Sequence, residues 1–267
     1  MSAARCDPLP PGRPAVFIAC RVPTYRPFED EALEHLAALG VGAVEIRVPR
    51  PEQLDTVAGE LAHFGIRAST LHAECDVNRP DCATHFASQL PAFTKLGTGI
   101  ALVCPRPEHS PREIVQDRLR QCARAAAAAG VVLAVETHPP IAHHAVEWRR
   151  TLAAVNHPAL RLNFDTANVY FYNEHADAVS EARQVADTVA EVHIKDTPGG
   201  FGLRDFPALG RGTVNFHGVI RELLAAGFAG PLTLEIEGTA GETRTREMIR
   251  ERIAESVGYL RGVLSGI

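Results

Sequence analysis

Short apolar runs recur along the chain, and each stops at a polar residue. The most telling is Val131-Val-Leu-Ala-Val135, five apolar and mostly β-branched residues followed by Glu136, Thr137 and His138. An unbroken apolar run of this length predicts a strand buried on both faces, as in a parallel sheet. The same design returns downstream: Leu160 to Asp165 ends in aspartate, Val189 to His193 in histidine and Leu232 to Glu235 in glutamate. Upstream, Ala15 to Cys20, Ala43 to Val48, Ile66 to Leu71 (ending at His72) and Ile100 to Cys104 read as four further strands. The intervening stretches carry helical patterns. Helices are predicted over 31–39, closed by Gly40, over 51–64, started by Pro51, and over 82–96, where Pro91 should bend or divide the helix. Others follow over 111–129, with its alanine-rich second half, and over 145–155, 176–187, 216–226 and 242–264.

Eight strand–helix units in strict alternation argue for a parallel α/β sheet. The count, with a length of 267 residues, argues for closure into a single (β/α)8 TIM barrel. An open doubly wound sheet is the alternative, but the first strand is followed by no glycine-rich dinucleotide fingerprint and no P-loop occurs. Residues 1–14, rich in proline and small residues, read as a loose N-terminal tail without a signal-peptide core, and 15–267 as the barrel domain.

Composition narrows the function classes. The net charge of −5, with no lysine/arginine block, speaks against a nucleic-acid partner. No apolar span reaches membrane length, so no membrane association is expected. Cysteines 6, 20, 75, 82, 104 and 122 show neither CxxC pairing nor a secreted framework, which points to reduced thiols and a cytoplasmic location.

In α/β folds the chemistry gathers at the carboxyl ends of the strands. Strands five to eight would bring Glu136, Asp165, His193 and Glu235 to one rim, an oxygen-rich mixed set suited to a divalent metal. One carboxylate at a strand end reads most simply as a helix cap or rim ion pair; four ligand-type residues in successive units make coincidence a poor account. Thr197 to Thr213, with five glycines, is long enough for a lid or binding loop.

Several blocks resemble one family. Val135-Glu136-Thr-His138-Pro139, Asn163-Phe-Asp165-Thr166-Ala-Asn168, Val192-His193-Ile-Lys195-Asp196, Gly210-Arg-Gly212-Thr-Val-Asn-Phe216 and Gly230-Pro-Leu-Thr-Leu-Glu235-Ile-Glu237-Gly238 match, in order and spacing, the sugar phosphate isomerase/epimerase branch of the xylose isomerase-like TIM-barrel superfamily. The resemblance runs from about residue 15 to the end. It implies one divalent metal ion, Mn2+ foremost with Mg2+, Co2+ or Zn2+ as alternatives, on Glu136, Asp165, His193 and Glu235. It further implies that Glu136 and Glu235 form the catalytic acid/base pair, and that the protein assembles as a dimer or tetramer. The family's abasic-site nucleases hold several zinc ions with added histidines; Asn168 and Cys104 stand at two of those positions, which disfavours a nuclease. Epimerases of the family often carry a histidine at the Asn168 position too.

Moving a proton beside a carbonyl needs a base, an acid and something to hold the enediolate charge; two carboxylates and a metal meet that need. The same intermediate leads to epimerisation, to aldose–ketose isomerisation, or, if a β-hydroxyl departs, to dehydration of a keto-sugar, keto-glycoside or dehydroshikimate-like acid. The expected partner is therefore a small carbohydrate or keto acid. A non-catalytic sugar-binding subunit is a third reading, against which the full ligand set argues. Secondary candidates each carry a plainer alternative. His72 contacts a sugar hydroxyl or is structural. His138, two residues past Glu136, contacts substrate or supports a ligand. Glu45 orients His72, meets substrate, or pairs with Arg47 on its own strand face. Lys195 binds a substrate oxygen or pairs with Asp196. Glu237 shares a face with Glu235, and Arg211 clamps an anion or is a solvated loop residue.

Overall fold

The computed structural model describes residues 16–267; the expected tail over 1–14 lies outside the described residues. Eight parallel strands close into a barrel: β1 (Phe17–Arg21), β2 (Ala43–Arg47), β3 (Arg67–His72), β4 (Ile100–Val103), β5 (Val132–Glu136), β6 (Leu160–Asp165), β7 (Val189–Ile194) and, after a two-residue strand β8 (Asp205–Phe206), β9 (Pro231–Leu234). Pairing of β1 with β9, from Phe17 opposite Pro231 to Cys20 opposite Leu234, closes the ring and excludes the open sheet. β8 pairs antiparallel with β10 (Gly238–Thr239) outside the barrel.

The helices are α1 (Ala32–Ala38), α2 (Leu54–His63), α3 (Cys82–Ser88), α4 (Leu90–Leu96), α5 (Arg112–Ala128), α6 (Ala145–Val155), α7 (Asn168–Phe171), α8 (Ala178–Val185), α9 (Phe216–Ala225) and α10 (Arg246–Ser265). They follow the expected pattern with local departures. Pro91 divides the expected 82–96 helix at Gln89, because proline supplies no N–H and fits the first turn of a new helix. The last helix begins at Arg246, where the Thr245 hydroxyl accepts the Met248 N–H, and not at residue 242. The eighth barrel strand ends at Leu234, so Glu235 and Glu237 lie beyond its paired length. The stretch after Asp165, expected as loop, contains the single turn α7. Trp148 packs without exposure between α6 and the barrel and donates from its indole nitrogen to the Thr188 hydroxyl at 2.8 Å, which removes the cost of burying that N–H.

Two irregularities bear on the site. Between β2 and β3 the register shifts, so that Val44 faces Ala68 but Glu45 faces Thr70. Between β6 and β7 it shifts again, Leu162 facing Val189 and Asn163 facing Glu191. An extra residue in one strand of a pair re-aims the side chains beyond it, and beyond these two points stand Glu45, Glu191 and His193.

Candidate metal and substrate site

Barrel interiors are usually filled by branched aliphatic side chains. Here the upper interior is polar. Glu45, Thr70, Asn163, Glu191, His193 and Thr233 are all buried. Glu191 accepts hydrogen bonds from Thr70 at 2.8 Å, Thr233 at 2.7 Å and the Asn163 amide at 3.1 Å. Burial, with the charge of nearby Glu45, raises its carboxyl to about 7. Sequence reasoning missed this residue. The signal was the period-two series Glu191, His193, Lys195, which puts three polar side chains on one strand face.

Glu136, Asp165, His193 and Glu235 converge above this layer. Each offers a ligand atom, and those atoms lie within 4.8 Å of one another. The local structure aims each of them. Asp165 Oδ1 accepts the backbone N–H groups of Ala167 and Asn168, both at 2.9 Å, at the start of α7. That leaves Oδ2 buried without a hydrogen bond among the described residues. His193 Nε2 is held by Glu45 at 2.7 Å, so Nδ1 turns to the carboxylates: 3.1 Å from Glu235, 3.8 Å from Glu136 and 3.9 Å from Asp165. Among the described residues Nδ1 also has no hydrogen-bond partner. Two orphaned buried atoms facing one point are costly unless something binds them. A divalent cation fits that point: it takes three carboxylates and an imidazole nitrogen, and a histidine whose far nitrogen bonds a carboxylate is the usual arrangement of a metal-ligating imidazole.

Electrostatics act differently on the members of the group. Burial would raise Glu136, but the charges of His193 and Arg21 outweigh it and bring its carboxyl to about 2. For His193, burial works downward, and the charge and hydrogen bond of Glu45 overcome it to give about 9. Asp165 is raised, because burial outweighs the pull of Lys195 and His193.

Beside the cluster a cavity of about 340 Å³ opens to the rim. Glu136 and Glu235 reach it, as do His72, His138 and Lys195. Arg21 donates to His72 Nδ1 at 3.2 Å, leaving the Nε2–H of a neutral His72 as a donor. His138 Nδ1 donates to the Pro139 carbonyl at 2.8 Å, and the ring lies against Tyr172 with centroids 4.7 Å apart. Lys195 Nζ meets Glu237 at 3.0 Å and Glu235 at 3.5 Å and sits 4.2 Å from the centre of the Phe206 ring.

The remaining candidates lie elsewhere. Glu45 does not line the cavity; it is buried beneath His193 and pairs with Arg21 at 2.9 Å, while Arg47 is exposed. Arg211 is not brought to the cavity: its side chain, 68% exposed, pairs with Glu255 of α10 at 2.6 Å. Asp196 does not pair with Lys195. Its carboxylate accepts the backbone N–H groups of Thr197, Gly210, Gly212 and Val214 at 2.8–3.2 Å, which ties both ends of the 197–213 loop to the barrel. Arg21, at the end of β1, is another site residue that sequence reasoning did not raise; it binds Glu45, Glu235 and His72 together.

Comparison with known proteins follows the same lines. No curated protein matches the sequence. Among solved structures, a xylose isomerase domain protein from Planctomyces limnophilus superimposes with a TM-score of 0.73 at 19% identity, covering 96% of this chain and 99% of that one. D-psicose 3-epimerase from Clostridium cellulolyticum H10 gives 0.75 at 16% identity over 93% and 99%. The probable 3-DHS dehydratase AsbF from Bacillus anthracis gives 0.72 at 15% over 92% and 98%. At these identities the likeness concerns the fold. The family model for the xylose isomerase-like TIM barrel matches residues 33–261, nearly the whole barrel. The chain therefore belongs to the xylose isomerase-like TIM-barrel family.

Proposed function

We propose that the protein is a divalent-metal-dependent isomerase or epimerase of a sugar or sugar derivative, acting by enolisation. One observation carries the reading: Asp165 Oδ2 and His193 Nδ1 are buried, without hydrogen bonds among the described residues, and aimed at the same point as Glu136 and Glu235, the two carboxylates that also reach the cavity. Glu136, Asp165, His193 through Nδ1 and Glu235 would hold the ion, with Mn2+ the first choice. When bound, it supplies Lewis-acid stabilisation of negative charge developing on substrate oxygens.

The chain's own groups account for the proton movements. Glu136 is ionised at neutral pH and can accept a proton from the carbon beside the carbonyl. Glu235, held by Arg21 and lying 3.5 Å from the Lys195 ammonium, is assigned the second proton transfer. Delivery to the opposite face of the same carbon gives an epimer; delivery to the neighbouring carbon gives an aldose–ketose pair. His72, His138 and Lys195 line the same cavity and are assigned to substrate hydroxyl or carbonyl oxygens. Glu45 has a positioning role: it fixes the His193 ring from behind.

The test is elemental analysis of protein purified without chelator and reloaded with Mn2+, alongside Asp165→Asn. About one ion per chain in the parent and clear loss in the folded variant is the expected result. The loaded parent is then screened for solvent deuterium entering ketoses and keto acids. Exchange without loss of water supports isomerase or epimerase chemistry, whereas a new conjugated enone absorbance would reassign the protein to the dehydratases. Absence of metal from both folded proteins would overturn the reading.

A further inference from the structure

The cavity has the opposite charge to the protein around it. The chain carries a net charge of −5. Yet the cavity is lined by Arg21, Arg26, Arg106, Lys195, Arg204 and Arg244, against the carboxylates of Glu136, Glu235 and Glu237 in the lining and of Glu45 and Asp165 beneath Arg21 and Lys195. A ligand set that then accepts a divalent cation makes the cavity more positive still. A neutral sugar asks for no such excess, since its hydroxyls are served by carboxylates, amides and histidines.

The six cations are not equivalent. Arg21 is spent on Glu45 and Glu235, and Lys195 on Glu237. Arg26 pairs with Glu29 at 3.1 Å. Arg244 donates to the Thr24 carbonyl at 2.6 Å. Arg106 and Arg204 differ: among the described residues neither has a carboxylate within ion-pair distance. They come from separate loops, after β4 and within 197–213, and both line the cavity together with Phe171 and Tyr172. Arg204 lies 5.9 Å from the centre of the Phe171 ring. Phe171 and Tyr172 stack edge to face with centroids 4.8 Å apart. Arg106 stands against Cys104 and near Tyr172. Both guanidinium groups belong to exposed residues, whereas Glu136 and Glu235 are buried. The arginines thus mark the mouth of the cavity and the acid/base carboxylates its floor.

We infer that the substrate carries a carboxylate or phosphate, held by Arg106 and Arg204 at the cavity mouth while its carbonyl end reaches Glu136 and Glu235. This rests on the enolisation reading above. Planar guanidinium groups suit an oxyanion because they donate two aligned hydrogen bonds to it. A positive cleft in an acidic protein also gathers small anions from solution. The 197–213 loop therefore contributes to binding through Arg204, and not through Arg211.

Calorimetric titration of the Mn2+-loaded protein at low ionic strength tests this, with D-fructose, D-fructose 6-phosphate, 2-keto-D-gluconate and inorganic phosphate as probes on the parent and on the double variant Arg106→Gln/Arg204→Gln. The expected result is that at least one sugar anion binds about tenfold or more tighter than D-fructose, the ratio one charge-assisted hydrogen bond supports. The double variant should lose that advantage while keeping the parent's Mn2+ content. Which anion leads distinguishes phosphate from carboxylate. The inference is overturned if D-fructose binds as well as both sugar anions, if neither anion binds, if the advantage survives in the double variant, or if inorganic phosphate alone binds as tightly as the sugar anion. The metal content of the same samples separates the two proposals: a protein that holds its ion but prefers neutral sugar refutes the anion alone, and one that holds no ion refutes the enolisation reading.

Discussion

Asp196→Asn should release the loop that carries Arg204 and Phe206 without disturbing the barrel. In the parent each carboxylate oxygen accepts two backbone N–H groups, Thr197 and Val214 on Oδ1, Gly210 and Gly212 on Oδ2. An asparagine has one acceptor oxygen and one NH2 group, so two of the four N–H donors would face another donor. Asp196 is buried, so water does not readily replace the lost acceptor. Hydrogen bonds to an ionised group contribute about 1.5–3 kcal/mol each, so losing two costs on the order of 3–6 kcal/mol. The β8–β10 pairing, the Leu209 N–H bond to the Ser256 hydroxyl, the Gly202 N–H bond to the Phe171 carbonyl and the Arg211–Glu255 ion pair still hold the loop, and part of this cost will be relaxed by local movement. Taking the lower figure, about 3 kcal/mol, the open population of residues 197–214 rises by roughly 150-fold. Amide hydrogen exchange reads this directly. Exchange over 197–214 should accelerate by about two orders of magnitude, with β5 and β6 unchanged. Trypsin should cleave after Arg204 or Arg211 in the variant while the parent survives. Unchanged protection over 197–214 would refute the clamp, and a uniform loss across β5 and β6 would show that Asp196 supports the barrel rather than the loop.

Gly212→Ala attacks the same clamp from the other side: a Cβ there would lie 2.2 Å from Asp196 Oδ1 and 2.4 Å from the Thr197 carbonyl oxygen, so the loop must shift, and exchange over 197–214 should rise with little change in the barrel. Glu45→Gln leaves the shape of the site but weakens the hold on His193 Nε2, and Mn2+ affinity measured by titration should fall by about 10- to 100-fold; unchanged affinity would remove Glu45 from the site. For pH, burial opposes the charged form of His193, and the Glu45 carboxylate raises it to about 9 in the metal-free fold, above its ordinary 6.5. The stabilising charge is thus fully present below pH 6.5 and is lost as pH rises through 9, so the metal-free protein should lose thermal stability over that window. Mn2+ needs the deprotonated nitrogen, so its affinity should rise over the same window with proton release near neutral pH; binding that is independent of pH, with no proton released in buffers of different ionisation enthalpy, would contradict the assignment of His193.

How much of this was legible follows from which residues obey a local rule. The barrel was readable because each strand is a short run of apolar residues bounded by helical segments, and because Glu136, Asp165, His193 and Glu235 occupy the same place in four successive units. A strand end is a position along the chain, so a one-dimensional pattern reports it. Helix boundaries followed less well. Thr245 caps the last helix by a hydrogen bond to Met248, and nothing in the apolar spacing distinguished that residue from the turn before it. Arg211 and Arg204 are seven residues apart in one glycine-rich loop, and choosing between them needs the path of the backbone, which Asp196 imposes from outside the loop.

The polar layer inside the barrel was hardest to foresee, and it has a consequence for the site. Glu45 and Glu191 each sit on a strand whose register with its neighbour shifts, so alternation counted along one strand does not say which interior level a side chain reaches. Glu45 illustrates the point. Its sequence neighbourhood suggests Arg47, but its partners are Arg21 and His193, from β1 and β7. Burying such carboxylates is costly unless they are paired, and the pairing runs upward: Glu191 accepts hydrogen bonds from hydroxyl and amide groups, Glu45 has the charge of Arg21 and a hydrogen bond to His193, and His193 then turns Nδ1 toward three carboxylates. The lower residues are therefore support for the upper ones, and His193 cannot rotate without taking its hydrogen bond away from the buried Oε2 of Glu45. A site built on such a stack holds its imidazole in one orientation, which is the pre-organisation the proposed metal site calls for.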